Sequence, residues 1–411
     1  MSTTFRPENV EQVAEAVAWA AAEKAPLEVV GCGSKRDFGR PMQTGHGLDL
    51  SALSGILLYE PGELVLSARA GTPMAEIESA LRDNNQQMAF EPADLAPLYG
   101  GAVGAGSIGG AIACNLSGPR RIKAGAARDH FLGFQAASGR GELFKSGGRV
   151  VKNVTGYDLS KLLAGSHGTL AVLTDVTIKV MPAPEKSRTV LLYGLDDAGA
   201  AVAMQLAMNS AHEVSAAAHL PAPVAAAARV PGVADAGGAV TALRVEGPGV
   251  SVEYRCAALR RELADLGETG ELHTHNTGLL WTMVRDVHPL LDKPEAAIWR
   301  LSVPPAAGPR VAAHCARGNN ALFYYDWAGG LVWLALTLTG EAAADAGAGR
   351  VRGAIAADGG HATLMRAPAQ VRSAVSVFQP QDPASAALTA RVKDSFDPNR
   401  VLNPGRMYAG I

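Results

Sequence analysis

Apolar positions in the first 180 residues recur at the spacings of short helices and short strands. Val10, Val13 and Val17 fall on one helical face, and proline or glycine interrupts most of the apolar runs. The predicted helices of this part span residues 7–24, 73–82 and 158–163, and the predicted strands span residues 27–30, 56–59, 64–70, 131–137, 141–144 and 170–180. The pattern indicates small sheets covered by short helices.

Beyond the Pro-rich boundary at residues 181–184, strands and helices alternate more regularly. Strands are predicted over residues 189–195, 213–219, 239–245 and 298–303, and helices over residues 198–208, 250–266, 340–357 and 386–396. A hairpin is predicted through Ala328, Gly329 and Gly330. The alternation is typical of split βαβ units of the ferredoxin-like kind, and no repeat of fixed length accompanies it.

Two stretches are unusually rich in glycine. Six glycines fall between residues 100 and 110, and residues 31–35, Gly-Cys-Gly-Ser-Lys, directly follow the predicted strand 27–30. Glycine-rich backbone can approach a ligand closely and present its N–H groups to an anion such as phosphate. An ordinary tight turn is the alternative for residues 31–35.

The spacing Gly104-x-Gly106-x-x-Gly109 also matches the dinucleotide fingerprint, with Asp129 about 20 residues on. That fingerprint should follow a strand and open its domain, whereas here several strands come first. An inert flexible loop is another interpretation. Against it, Ile108, Ala111, Ile112 and Leu116 have helical spacing, which predicts an ordered helix whose N-terminus would favour an anion.

The composition and charge of the chain argue against several classes of protein. The 411 residues carry a net charge of −2 and no basic block, so a nucleic-acid partner is not expected. The four cysteines are far apart, and none forms a CxxC pair that would indicate zinc or an iron–sulfur cluster. The first residues lack the features of a signal peptide, and no apolar run reaches the length of a membrane span. The sequence therefore predicts a cytoplasmic protein without a resident metal.

Several motifs, taken jointly and in order, resemble those of a flavoprotein family. They are Gly31-Cys32-Gly33-Ser34, residues 109–115 (GGAIACN), Gly156-Tyr157-Asp158-Leu159, residues 165–170 (GSHGTL), Phe396-Asp397-Pro398 and residues 403–407 (NPGRM). They resemble the vanillyl-alcohol oxidase (PCMH-type) FAD-binding family, and within it the FAD-binding subunits of bacterial glycolate oxidases. The resemblance covers nearly the whole chain.

The resemblance implies an α+β fold: a PCMH-type FAD-binding domain of two α+β sub-domains over residues 1–182, then a ferredoxin-like α+β domain over residues 187–411 whose last segment returns to the flavin domain. It implies FAD as cofactor, with the pyrophosphate at residues 31–35 and 106–110. The residues implied to bind FAD are Gly31, Cys32, Gly33, Ser34, Lys35, Gly106, Ser107, Ile108, Gly109, Gly110, Asn115, Lys152, Asn153, Thr155, Gly156, Tyr157, Asp158, Gly168, Thr169, Leu170, Asn403 and Arg406. Many relatives attach FAD to a histidine in the first loop; none is present here, so the FAD is expected to be non-covalent.

The chain departs from the metal-dependent 2-hydroxyacid dehydrogenases of the family, because it has no Glu-His pair. His273-x-His275 has the spacing of a metal pair on a strand, although surface histidines are the alternative. His361, which follows two glycines, is a weak catalytic candidate, with a structural turn residue as the alternative. Arg120 and Arg121 are candidates for a carboxylate, a subunit contact or a solvated pair.

The function implied by the resemblance is an FAD-binding subunit that supports oxidation of glycolate to glyoxylate in a complex, in electron transfer or assembly. Its implied partners are a catalytic FAD subunit and an iron–sulfur subunit, through which the chain would reach the inner face of the membrane. A self-sufficient FAD-dependent 2-hydroxyacid dehydrogenase and a scaffold that has lost FAD are the two alternatives.

Overall fold

The computed structural model describes residues 3–149, 156–318, 320–337 and 342–411. The chain forms two compact units. The first contains residues 1–117, 125–183 and 380–411, and the second contains residues 118–124 and 184–379. Residues 118–124 thus belong to the second unit, and the C-terminal segment belongs to the first.

The first unit is built on two main sheets. Its parallel sheet has the strand order Thr3–Phe5, His46–Asp49, Leu27–Val30. Its antiparallel sheet has the order Ile56–Glu60, Val65–Arg69, Ala171–Lys179, Phe131–Ser138, Leu143–Gly147. A two-stranded ribbon pairs Gln86–Gln87 with Met181–Pro182. The helices are Val10–Glu23, Met74–Arg82, Ile108–Ala113, Ala127–His130, Leu159–Leu163 and Pro383–Phe396.

Several predictions for the first unit are confirmed, and two are wrong. The strand Leu27–Val30 and both hairpins form as predicted. The sequence predicts Thr72 as the cap of the helix that begins at Pro73, but the Thr72 hydroxyl donates to the Arg69 carbonyl at 2.7 Å, and Pro73 occupies the cap position. The helix after the glycines ends at Ala113, so Leu116 lies beyond it.

The C-terminal segment is anchored in the first unit by a buried ion pair. The Lys393 ammonium lies 2.7 Å from the Asp397 carboxylate and also donates to the carbonyls of Thr169 and Leu402, at 2.6 and 3.0 Å. Both charged side chains are fully buried. Leu27 and Leu402 form a parallel bridge beside this pair, which brings the segment to the strand that precedes the first glycine loop.

The second unit is a single antiparallel sheet of eight strands. Their order is Thr269–Leu272, Lys186–Tyr193, Val240–Gly247, Ala216–Leu220, Ala321–Asp326, Leu331–Thr337, Ala296–Ser302, His361–Arg366. The described helices are Arg121–Ala124, Asp197–Met208, Ala222–Ala226, Gly249–Glu262, Thr274–Arg285, Gly308–Ala316, Ala342–Asp345, Ala348–Ala356 and Ala369–Ala374.

This sheet consists of two βαββαβ halves laid edge to edge. In the half over residues 186–272 the fourth strand lies beside the first, and the third lies between the first and second. The half over residues 296–366 has the same order, and the two join where Ala216–Leu220 meets Ala321–Asp326. This is the ferredoxin-like arrangement. The predicted α+β class and ferredoxin-like units are confirmed, and the structure adds that there are two of them.

Candidate functional site

The two glycine stretches of the first unit meet at one cleft. The cleft spans about 730 Å³, part of which is open solvent. Its lining residues are Val29, Val30, Gly31, Cys32, Gly33, Ser34, Lys35, Arg36, Leu50, Ala70, Ser107, Gly109, Gly110, Ala113, Cys114, Ser166, His167, Gly168, Ala171, Leu173 and Arg406. The lining therefore combines the loop after the strand Leu27–Val30, the start of the helix Ile108–Ala113 and the turn that contains His167.

Close backbone approach explains two of the glycines. A Cβ atom on Gly31 would lie 2.3 Å from the hydroxyl oxygen of Ser107, and one on Gly109 would lie 2.7 Å from the backbone oxygen of Ala70. Both distances are too short for non-bonded atoms, so a side chain at position 31 would displace Ser107, and one at position 109 would displace the helix Ile108–Ala113 from Ala70. Gly31 thus allows residues 31–35 to approach Ser107, and Gly109 allows the start of the helix to pack on Ala70.

The first loop presents backbone donors that the protein does not use. None of the N–H groups of residues 31–35 donates to a backbone or side-chain acceptor in the described part of the chain. Buried or half-buried N–H groups are normally paired with protein, water or a ligand. A run of such donors beside a cleft is the arrangement that backbone nests use to bind anions.

Positive charge accompanies these donors. The Lys35 ammonium donates a hydrogen bond to the Ser34 hydroxyl oxygen, 3.0 Å away. It also lies 3.4 Å from the position that a Cβ atom would take on Gly110, so it spans the space between the two loops. None of the described residues that line the cleft is acidic. The cleft therefore favours a ligand of negative charge.

Two residues of the C-terminal segment, Asn403 and Arg406, form hydrogen bonds to the loop over residues 31–35 and to its flanking residues. The Arg406 guanidinium donates to the carbonyls of Phe38 and Lys35, at 3.2 and 2.9 Å. The Asn403 side chain accepts from the Val29 N–H at 2.7 Å and donates to the His167 carbonyl at 2.8 Å. Arg406 lines the cleft, whereas Asn403 ties the strand before the loop to the turn that contains His167.

His167 and Cys114 line the cleft and were absent from the residues implied by the resemblance. The Cys114 sulfur lies 3.6 Å from His167 Nδ1. Burial and, secondarily, the charge of Arg406 lower the pKa of His167 to about 3, and burial raises the pKa of the Cys114 thiol. Both groups are uncharged at neutral pH. The signal that could have found His167 was its place in the GSHGTL motif, between glycines.

Other residues implied by the resemblance lie outside the cleft lining. Ile108 and Leu170 belong to the hydrophobic core. Thr169 is buried, and its hydroxyl donates to the Ser166 carbonyl at 2.7 Å. The Asn115 side chain accepts from the Arg128 N–H at 3.0 Å.

The remaining residues implied by the resemblance are Gly106 and those of the segment 152–158. Gly156 and Tyr157 are exposed, and Asp158 caps the helix Leu159–Leu163. Lys152, Asn153 and Thr155 lie outside the described residues. Gly106 is not part of the cleft lining but lies next to Lys35: a Cβ atom on it would be 3.9 Å from the Lys35 ammonium.

The candidate residues of the second unit separate into different environments. His273 and His275 are exposed at the start of the helix Thr274–Arg285 and not on a strand, in agreement with the alternative that they are surface histidines. Arg120 binds Glu246 through two hydrogen bonds of 2.8 Å. Arg121 lies over the ring of Trp327, 4.4 Å from its centroid.

Within the described residues, no group of three or more His, Cys, Asp or Glu side chains is placed to hold a metal ion. The described part of the chain also contains no helix that is both long enough and apolar enough to cross a bilayer.

The features of the cleft fit the diphosphate of a dinucleotide cofactor. Residues 2–147 match the family model described as FAD binding domain. Two solved structures share the fold at low identity: 4-ethylphenol oxidase from Gulosibacter chungangensis (TM-score 0.71, 16% identity, 99% of this chain and 89% of that one) and p-cresol methylhydroxylase (TM-score 0.69, 15% identity, 98% and 88%). The fold and the match define an FAD-binding flavoprotein of the PCMH type.

The particular family follows from the curated relatives. The glycolate oxidase subunit GlcE of Escherichia coli (strain K12) is 34% identical over 98% of this chain and 97% of its own length. The glycolate oxidase subunit GlcD of Bacillus subtilis (strain 168) is 29% identical, but the match covers 47% of this chain and 40% of that protein. The chain belongs to the family of the glycolate oxidase subunit GlcE, and its cofactor is FAD.

Proposed function

We propose that this chain is the FAD-binding subunit of a glycolate oxidase complex, and that it serves electron transfer or assembly. A separate FAD subunit oxidises glycolate to glyoxylate in this proposal, and an iron–sulfur subunit completes the complex. The full-length similarity to GlcE supports the assignment. The weaker, partial similarity to GlcD is consistent with a role distinct from that of GlcD.

The cleft of the first unit is the proposed site of the FAD diphosphate. The observation that carries this proposal is the run of five unused N–H groups in residues 31–35, opposite Ser107 and Gly110 and beside Lys35. When bound, FAD supplies the redox chemistry, and the chain supplies binding and orientation. Arg406 and Asn403 keep the first loop in place, and the uncharged His167 and Cys114 form part of the lining.

The FAD is proposed to be non-covalent, because the loop over residues 31–35 contains no histidine. Purified protein should be yellow, release all of its flavin on denaturation and show the mass of the unmodified chain. A denatured chain that retains the added mass of a flavin contradicts non-covalent binding. A chain that purifies without colour and binds no added FAD contradicts the cleft assignment and supports the scaffold alternative.

The site itself is tested by Gly31→Ala against Gly45→Ala. A methyl group at position 31 would lie 2.3 Å from the Ser107 hydroxyl oxygen, whereas nothing lies within 4 Å of one at position 45. Overpacking of this kind costs about 1–3 kcal/mol, so Gly31→Ala should weaken FAD binding about tenfold or more. Titration of the apoprotein with FAD measures the change. Equal affinities for the two variants would mean that the diphosphate lies elsewhere.

The role in the complex is tested with the chain alone and in its native assembly. Under anaerobic conditions, added glycolate or D-lactate should leave the flavin of the isolated chain oxidised. Rapid bleaching would instead support the self-sufficient dehydrogenase. Affinity purification from a native source should recover a second FAD protein and an iron–sulfur protein, and membrane fractionation with and without those partners tests the proposed peripheral membrane association.

A further inference from the structure

The exposed side of the helix Gly249–Glu262 in the second unit carries a stripe of apolar residues. Val250 and Tyr254 are 84% and 68% exposed, and Ala257 is exposed one turn further on. These three residues and Arg261 are separated by four, three and four positions, which is the spacing of the contact residues in coiled coils. The opposite side of the helix is buried against the sheet. The helix therefore presents a second contact surface, which the described part of the chain leaves exposed.

The neighbouring helix Asp197–Met208 extends this apolar surface. Its residues Val202 and Leu206, one turn apart, are 52% and 53% exposed, and its only charged residue is Asp197 at its start. Both helices pack on the same face of the sheet through one hydrophobic cluster, so their exposed sides face solvent together. Exposed apolar side chains that are grouped in this way mark surfaces that bind a macromolecule, whereas isolated ones are ordinary.

The charges of the helix Gly249–Glu262 leave one arginine over. Four of its five charged side chains lie within ion-pair distance of an oppositely charged group in the same unit. The pairs are Glu253 with Lys186 and Arg188, Arg255 with Glu213, Arg260 with Glu271, and Glu262 with His212. The fifth is Arg261, at the C-terminal end of the stripe, which is exposed and forms no ion pair or side-chain hydrogen bond with the described residues.

An unpaired carboxylate lies at the other end of the stripe. Glu185 is exposed, and its Oε1 atom lies 2.9 Å from the position that a Cβ atom would take on Gly249, next to Val250. Like Arg261, it has no ion pair or side-chain hydrogen bond with the described residues. At 1.5 Å of rise per residue, Val250 and Arg261 are about 16 Å apart along the helix. The stripe thus has an apolar centre, a negative end and a positive end.

We propose that the chain forms a two-fold symmetric dimer in which this helix packs antiparallel against the same helix of a second copy. A two-fold contact joins a surface to itself, so the surface must complement its own rotated image. With the axis midway between Tyr254 and Ala257, each tyrosine ring packs on the small alanine of the other copy. The Arg261 stem of each copy covers the other's Val250, and its guanidinium reaches the other's Glu185.

The two charges select both the orientation and the occupant of the surface. A parallel arrangement of the two helices would place like charges together at each end of the stripe, whereas the antiparallel one pairs Arg261 with Glu185 twice. Because the apolar centre and both charges are satisfied by a second copy, no further type of protein is needed to cover them. The dimer involves only the second unit, so it does not depend on the proposed role of the cleft in the first.

The test measures self-association of the purified full-length protein by sedimentation velocity over a range of concentrations, with the FAD content recorded for every sample. The wild type should form a reversible species with twice the mass of one chain. Tyr254→Glu should raise the dissociation constant of the dimer by about a hundredfold or more, because each dimer contains the substitution twice at the centre of the contact. Leu388→Glu, at a 54% exposed leucine on the helix Pro383–Phe396 of the first unit, is the matched control and should dimerise as the wild type does.

Charge reversal tests the orientation of the two helices. Arg261→Glu and Glu185→Arg should each weaken the dimer about tenfold, because each places like charges at both ends of the contact. The double variant exchanges the two charges and should restore an affinity close to that of the wild type. These exposed positions keep the test decisive if Tyr254→Glu fails to fold.

Three outcomes overturn the proposal. The first is a wild-type chain that stays monomeric at every concentration, and the second is a dimer whose affinity Tyr254→Glu leaves unchanged. The third is a double variant that dimerises no better than the single reversals. If the purified chain is monomeric and Tyr254→Glu instead removes a different protein from the native assembly, the surface belongs to that protein and not to a second copy.

Discussion

The two units arrange their hydrogen-bond donors and cationic groups by different physical means. In the first unit the binding groups belong mainly to the backbone: unused N–H donors of residues 31–35, made accessible by glycines, with the Lys35 charge beside them. In the second unit the cationic groups come from side chains, since the guanidinium groups of Arg121 and Arg300 both lie over the Trp327 indole ring. A backbone arrangement of this kind can be identified from a short stretch of sequence, whereas a side-chain cluster appears only when distant segments are brought together.

The units also differ in how buried charge is supported. In the first unit a fully buried Lys393–Asp397 pair anchors the C-terminal segment behind the cleft. In the second unit Glu246 neutralises Arg120 and lies 3.4 Å from Arg244. Three substitutions test these differences between the two units, in order of decreasing expected effect.

Lys393→Ala should destabilise the protein most. It leaves the buried Asp397 carboxylate without its counter-charge and removes the donor to the Thr169 and Leu402 carbonyls. Loss of one partner of a buried pair typically costs about 3–5 kcal/mol in the free energy of unfolding. Urea unfolding measures the change. The control is Lys161→Ala, which breaks an exposed pair with Asp158 and should cost less than about 1 kcal/mol. Similar losses for both variants would contradict a supporting role for the buried pair.

Glu246→Gln should give the next largest effect, and one that depends on pH. Burial would raise the pKa of Glu246, but Arg244 and the hydrogen-bonded Arg120 outweigh it and lower the pKa to about 2. The ordinary value is 4.5, so the ionised carboxylate contributes roughly 3 kcal/mol of stability at neutral pH. This contribution is complete above pH 4.5 and is lost as the pH falls through 2. The difference between wild type and variant in urea unfolding should shrink over that interval.

Glu253→Gln is the control for this pH dependence, because Glu253 pairs with Lys186 and Arg188 in a more exposed setting. Its effect should be small at every pH. A Glu246→Gln difference that stays constant between pH 7 and pH 3 would show that the carboxylate charge does not contribute. FAD content should not change in either variant, since both residues lie in the second unit.

Lys35→Met should have the smallest effect, and it should change only the affinity for FAD. The substitution removes the lysine charge from the cleft lining and leaves the backbone donors in place. FAD should bind about tenfold more weakly, equivalent to ~1.4 kcal/mol, with reduced dependence on salt. Titration of the apoprotein at two ionic strengths measures this loss. Lys145→Met, at an exposed position on the strand Leu143–Gly147, is the control. A complete loss of binding with Lys35→Met would mean that the ammonium, and not the backbone, dominates the first site.

The sequence was most informative where a local pattern has one structural solution. The strand Leu27–Val30 and the hairpin turn at residues 328–330 were predicted because apolar runs and glycine turns are properties of neighbouring residues. The glycines at positions 31 and 109 were also informative, since a Cβ atom at either would collide with another segment. Prediction was wrong where tertiary contacts compete with local preference, as when the Thr72 hydroxyl donates to the Arg69 carbonyl instead of capping a helix.

The amino-acid sequence by itself determined the α+β class, the family and the two glycine stretches that line the cleft, because every pattern or motif behind them is made of neighbouring residues. The tertiary structure alone decided that His167 and Cys114 line the cleft, that Arg120 is neutralised by Glu246, and that Arg121 and Arg300 share the Trp327 ring. It also decided that the eight strands form two ferredoxin-like halves. These features depend on strand pairing between residues far apart in sequence, and no local pattern encodes that pairing.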